Sequence, residues 1–272
     1  MLPIKFQNVL IGAATVLVAS AGIAHASVQS AQDYSAASSF VDRNAASGSV
    51  TDTSKARSGG FGSTVTKALN AFANVVRPLS RPRALEDAFK SYFAYKNAHP
   101  GEVRKPFLYF VDYGLPSTTP RGYVFDMKAL KLVEGPFTVA HGRGSAANKA
   151  GIPTRFSNAV GSAATSLGLY IAKATYAFSG KSGGQSYSSV GLRLDGVSDG
   201  FNDNALRRGV VAHGAPYVTP SKAGRSEGCP AMEQTRAQRL LPKLADGGMV
   251  FLYAPDAQWM DKDPWIAAGE DL

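Results

Sequence analysis

Cysteine is all but missing from this chain. Cys229 is the only one among 272 residues, so no disulfide can form within the molecule. Acidic residues are also in short supply, 20 against 29 Lys and Arg, for a formal net charge of +9. The basic residues are scattered rather than clustered, which argues against nucleic acid and suits a polyanionic surrounding such as a cell envelope. Histidine occurs only four times and never in an HxxxD, HxH or HExxH spacing. A zinc hydrolase built on His141, His213 and an acid such as Asp195 therefore lacks the usual ligand pattern. Internal repeats are absent too.

Long apolar runs are limited to residues 9–24 (VLIGAATVLVASAGIA), preceded by Lys5 and followed by the small-x-small site Ala24-His25-Ala26. This pattern predicts a cleavable export signal over residues 1–26. The run is shorter than the ~20 residues that span a bilayer comfortably, so stable membrane insertion after cleavage is not expected. With no cysteine at the cleavage site, a lipid anchor there is excluded. Removing Lys5, the one charged residue of the segment, leaves +8. Such a signal implies export from the cytoplasm.

Residues 27–63 are rich in Ser, Ala, Gly, Asp and Thr and read as a disordered tether. Residues 64–105 read as a helical lead-in. It comprises a short amphipathic helix over 64–76 and a second over 82–99 with Leu85, Phe89, Tyr92 and Phe93 on one face, stopped by Pro100-Gly101. From Pro106 the period shortens. Runs rich in Val, Phe and Tyr, separated by turn residues, predict antiparallel strands at 106–114, 122–127 and 131–142, and further strands follow at 169–177, 188–197, 209–213 and 249–253. The fold class is therefore mainly β within α+β, with the main domain over 106–256 and a polar tail over 257–272. Residues 142–168, glycine- and serine-rich with little periodicity, are long enough to suggest a functional loop.

What the chain does have is the stretch from Val211 to Met232, VAHGAPYVTPSKAGRSEGCPAM. His213 precedes Cys229 by sixteen positions, and a thiol with a nearby base is the minimum equipment of a thiol nucleophile. A thiol near its ordinary pKa of ~8.5 is only a few per cent ionised at neutral pH and needs activation. Pro230 suits the first position of a helix, which would set the sulfur at the positive end of a helix dipole. A helix over 231–245 with Leu240, Leu241 and Leu244 inward would follow, interrupted at Pro242. Gly228 would let the amides of Gly228 and Cys229 converge on an oxyanion, and Ser226 would brace the loop or orient the imidazole. Arg225 offers a charge for a substrate carboxylate.

At these residues the chain resembles the L,D-transpeptidases of bacterial peptidoglycan, specifically a divergent branch of the YkuD-type cysteine enzymes. His-Gly, some fifteen residues, then Ser-x-Gly-Cys carries the resemblance. The pieces AHGRGS, PTRFSN, Leu192 to Gly196, Asn202 to Ala205 and GRSEGCPA accompany it in order. The resemblance implies a YkuD-like β-sandwich or barrel, with one helix before it and one after the cysteine. It also implies a two-step acyl transfer between donor and acceptor stem peptides, with no metal or organic cofactor. Cys229, His213, Gly228 and Ser226 would be catalytic; Arg225, His141, Gly214 and Arg143 would bind substrate. Common members place an arginine soon after the cysteine where Pro230-Ala231-Met232 stand here, so Arg225 or Arg143 is expected to replace it. The product would be a 3-3 or a 1-3 cross-link. The same residues with water as acceptor would give an L,D-carboxypeptidase or endopeptidase, and without chemistry a wall-binding protein. Cysteine peptidases that place cysteine before histidine are disfavoured by the order found here.

Overall fold

The computed structural model describes residues 53–270; the expected signal and most of the expected tether lie outside the described residues. Helix α1 (Thr53–Phe72) begins within the segment expected as tether and ends before the expected Val76. Its Val65, Ala68 and Phe72, spaced by three and four, are buried. The Phe72 ring lies 5.5 Å from Phe89 of α2 (Ala84–Ala98) and 4.6 Å from Phe125. In α2 the same spacing buries Leu85, Ala88, Phe89, Tyr92 and Tyr95, so both helices share one core with the sheet.

That sheet has eight strands in the order β11-β7-β6-β5-β12-β1-β2-β3. In chain order these are β1 (Phe107–Asp112), β2 (Gly122–Asp126), β3 (Lys131–Phe137), β5 (Gly168–Ser182), β6 (Gln185–Gly196), β7 (Val211–Gly214), β11 (Ala231–Met232) and β12 (Met249–Tyr253). Between them lie the two-residue strands β4 (His141–Gly142), β8 (Val218–Thr219), β9 (Lys222–Ala223) and β10 (Arg225–Ser226). The mainly β expectation holds, and β1, β2 and β3 pair antiparallel as expected, while β12 runs parallel to β1 and β11 parallel to β7. Parallel neighbours need a crossover of about a dozen residues or more, and residues 215–230 supply one between β7 and β11. Hairpin β5–β6 is tight, turning on Gly183 and Gly184 with φ of 57° and 82°, values open to glycine at no steric cost.

The two edges of the sheet come back together. Just beyond β3, the Ala140 amide donates to the Ala231 carbonyl of β11 at 2.8 Å, and β4 then runs parallel to β10. The sheet thus closes toward a barrel through a seam one bridge wide, and the candidate site sits on that seam.

Helix α4 (Gln234–Leu244) follows β11 and buries Leu240, Leu241 and Leu244 as expected. It passes through Pro242 without interruption, contrary to expectation. Residues 257–270, expected as a polar tail, form α5 (Ala257–Met260) and α6 (Pro264–Glu270). Trp259 is buried against Phe251 and Tyr253, and its Nε1 donates to Asp263 at 2.8 Å. Trp265 donates to the Val197 carbonyl at 2.6 Å, and Glu270 pairs with Arg83 and Lys90 of α2. Two tryptophans among acidic caps outweigh the polar composition. Among the described residues no helix is long and apolar enough to cross a membrane.

Candidate active site

The parallel return of β11 beside β7 explains the spacing of histidine and cysteine. Ala231 lies opposite His213 in register, so Cys229, two residues upstream, falls level with Val211 at the start of the same strand. The Val211 amide hydrogen-bonds the sulfur, and the thiol approaches the Gly209 carbonyl at 4.0 Å. Cys229 is partly exposed at a cavity of about 230 Å³ whose wall includes Gly161, Ala163, Arg208, Gly209 and Glu227. Burial pushes the thiol above its usual pKa; the Val211 amide and the charge of Arg208 pull it down, and Glu227 pushes it up.

The turn before the thiol is built by Gly228 and Ser226. Gly228 has φ of +123°, and a Cβ there would sit 2.8 Å from the Ala164 carbonyl oxygen, so a side chain is excluded twice over. The Ser226 hydroxyl accepts from the Gly228 amide at 3.2 Å and donates to the Cys229 carbonyl at 2.6 Å. Ser226 therefore braces the loop. The Gly228 amide, expected to face an oxyanion, points at Ser226 instead. Nor does Pro230 begin a helix: its carbonyl accepts from the His213 amide at 3.4 Å, the chain runs on into β11, and α4 starts only at Gln234. The sulfur has no helix dipole to lower its pKa.

His213 is 3% exposed, and its ring stacks on Phe178 at 4.2 Å with 20° between planes. Nδ1 lies 3.1 Å from the Gly214 carbonyl oxygen. A carbonyl only accepts, so the proton belongs on Nδ1 and the Nε2 lone pair is left to take a proton. Burial lowers the His213 pKa to about 4, which keeps the ring neutral at pH 7. Gly214, expected against substrate, is buried; a Cβ on it would meet Ser189 Oγ at 2.3 Å and Gln234 Cα at 2.8 Å. Its visible contribution is the carbonyl that orients the imidazole.

His141 is also on the seam but fully buried, which does not fit a groove-lining side chain. Its Nδ1 faces Arg121 Nη2 at 3.0 Å, so the ring proton belongs on Nε2, an atom left buried with no partner. Arg121, which no sequence signal distinguishes from other basic residues, is itself fully buried and donates to the carbonyls of Val139 and Leu115. Burial first, then Arg121 and Arg225, lower the His141 pKa to about 3. Arg225 donates to the Ala146 carbonyl at 3.2 Å, and Arg143 pairs with Glu227 at 2.7 Å on the surface. Arg143 thus answers the carboxylate beside the cavity. Asp195 pairs with Lys173 at 3.0 Å, and among the described residues no group of three or more His, Cys, Asp or Glu is placed to hold a metal.

The two buried neutral histidines predict acid sensitivity. In the unfolded chain each takes up its proton near pH 6.5, whereas in the folded protein the values are about 3 and about 4. Their stabilising contribution is complete above pH 6.5 and falls as pH drops toward 4. Asp87, raised to about 6 chiefly by burial, acts with the opposite sign between roughly pH 6 and 4. Urea unfolding at pH 7 and pH 4.5 should show a net loss of stability, opposed by the raised carboxyls of Asp87 and Asp112. The loss should be larger in Asp87→Asn, and a flat profile in that variant would rule out the neutral pair.

Residues 78–253 match the family described as the L,D-transpeptidase catalytic domain, and the chain belongs to that family. Among solved structures, it is similar to an L,D-transpeptidase from Mycobacterium smegmatis, at 15% identity over 55% of this chain and 59% of that one, with a TM-score of 0.33. It is also similar to an L,D-transpeptidase (Yku) from Stackebrandtia nassauensis, at 16% identity over 63% and 66%, with a TM-score of 0.34. The similarity thus spans less than two thirds of the length of either structure. No curated protein matches the chain.

Proposed function

We propose that this protein is an exported, periplasmic peptidoglycan L,D-transpeptidase with Cys229 as nucleophile and His213 as its base. The observation that supports the reading is the seam itself, where β7 and β11 pair in parallel with His213 opposite Ala231, two residues after the sole thiol, and the imidazole is neutral and oriented by Gly214. His213 Nε2 takes the Cys229 proton, and the sulfur attacks the carbonyl on the L-side of an L,D peptide bond in a donor stem peptide. The S–C bond forms, the C–N bond breaks, and the imidazolium returns the proton to the departing amine. A diaminopimelate amine of an acceptor stem then attacks the thioester, forming a new C–N bond and releasing the thiol. The link is of 3-3 or 1-3 type. Ser226 and Gly228 shape the nucleophile turn, and Arg225 lies close enough to His141 to influence its charge.

Incubating the mature protein with purified sacculi and weighing the released muropeptides by mass spectrometry tests this reading. New cross-linked dimers are expected, with the linkage read from fragmentation. Trimmed stems without dimers would mean that water is the acceptor, and the absence of both products would defeat the proposal.

A further inference from the structure

We infer that Arg208 is the positioning charge that holds the Cys229 thiolate. The inference rests on the reading of Cys229 as nucleophile and adds to it the group that makes ionisation feasible in a site with no helix dipole.

Arg208 ends the short helix α3 (Ala205–Arg208), and Gly209, with φ of 67°, turns the chain from there into β7. The guanidinium lines the same cavity as the sulfur, and a Cβ on Gly228, the residue before the cysteine, would come within 3.5 Å of its Nη2. Four hydrogen bonds hold it in place. Nη1 donates to the Ser157 carbonyl at 2.7 Å and Ser166 Oγ at 3.1 Å; Nη2 donates to the Ala164 carbonyl at 2.6 Å and Ser162 Oγ at 3.2 Å.

All four acceptors are neutral, and among the described residues no carboxylate pairs with Arg208. Arg143 and Arg236, by contrast, are both paired with glutamates. With both terminal nitrogens committed to loop 157–166, Arg208 is poorly placed to clamp a carboxylate with its fork. What it offers is a fixed positive charge without a counter-ion, in a cavity it shares with the thiol and with Glu227, and Glu227 is already paired with Arg143.

The other groups around the sulfur do not supply this charge. Glu227 is negative and is bound to Arg143. His213 is neutral at pH 7. The hydroxyls of Tyr113 and Tyr170 and, from the β5–β6 hairpin and the loop after β7, those of Tyr176, Tyr187 and Tyr217 are all pushed above their usual pKa and stay neutral. Removing Arg208 therefore leaves the thiolate without a facing cation.

The test follows the rate of Cys229 alkylation by iodoacetamide against pH, which needs no peptidoglycan and so does not depend on the transpeptidase reading. Arg208→Gln is expected to move the midpoint of the profile upward by about one unit, a rate about tenfold lower at pH 7. Arg208→Lys, which keeps the charge with fewer hydrogen bonds, should keep the wild-type midpoint; it also keeps the inference testable should the glutamine variant not fold. An unchanged midpoint in Arg208→Gln would overturn the inference, as would an upward shift of equal size in the lysine variant, since that would assign Arg208 to packing alone.

Discussion

Replacing Cys229 by serine is expected to lower cross-linking of sacculi by at least ~10³-fold, to a level indistinguishable from enzyme-free controls. A serine hydroxyl is a far weaker acid than a thiol and needs a strong base to attack a peptide carbonyl. His213 is not equipped to be one: its Nδ1 partner is the Gly214 carbonyl, a neutral group that orients the ring but cannot stabilise the imidazolium as a carboxylate would. The site is thus suited to a nucleophile that ionises readily. The change from sulfur to oxygen removes little volume, so the melting temperature should stay near the wild-type value, and dimer yield measured on the folded variant separates chemistry from stability. A serine variant retaining a tenth of the wild-type yield would mean that the thiol is not the nucleophile.

His213→Gln should cost about 10²- to 10⁴-fold in turnover, the range usual for loss of a general acid–base group. Glutamine can keep a hydrogen bond to the Gly214 carbonyl, and much of the contact with Phe178, but it cannot accept the thiol proton or return it to a leaving amine. Its loss should fall mainly on kcat and should flatten the acid limb of the pH–rate profile. Alkylation of Cys229 separates the two groups. Arg208→Gln should shift the pH midpoint, whereas His213→Gln, which removes a ring already neutral at pH 7, should leave the midpoint nearly in place. Equal shifts in the two variants would merge their roles and contradict the division of labour between base and charge.

The elements of this fold were legible where local chemistry decides them. Strands rich in Val, Phe and Tyr, the α2 stripe and the inward leucines of α4 stand where their periodicity puts them. Pairing direction was not legible: that β11 runs beside β7 depends on where residues 215–230 return, and no local pattern encodes it. The same pairing explains the misreading of Pro230. Proline favours the first turn of a helix, but here the hydrogen bond between the Pro230 carbonyl and His213 and the burial of Ala231 and Met232 hold the chain in strand geometry until Gln234. Cys229 and His213 stood out because cysteine and histidine are scarce. Arg121 and Arg208 did not, since each is one of 29 basic residues and only their burial and partners set them apart. Arg208 did leave one faint sign, a charged residue five positions before His213 at the entry to its strand. Trp259 was hidden in the same way, by the polar residues around it.

The most direct test of the thiol at the seam is the intact mass of the protein mixed with a purified muropeptide whose stem ends in an L,D bond. The account predicts a transient adduct equal to the donor less the amine it releases, mapped to the peptide carrying Cys229, discharged by added amine and absent from Cys229→Ala. Cross-linked product formed without that adduct, or with the adduct on another residue, would contradict it.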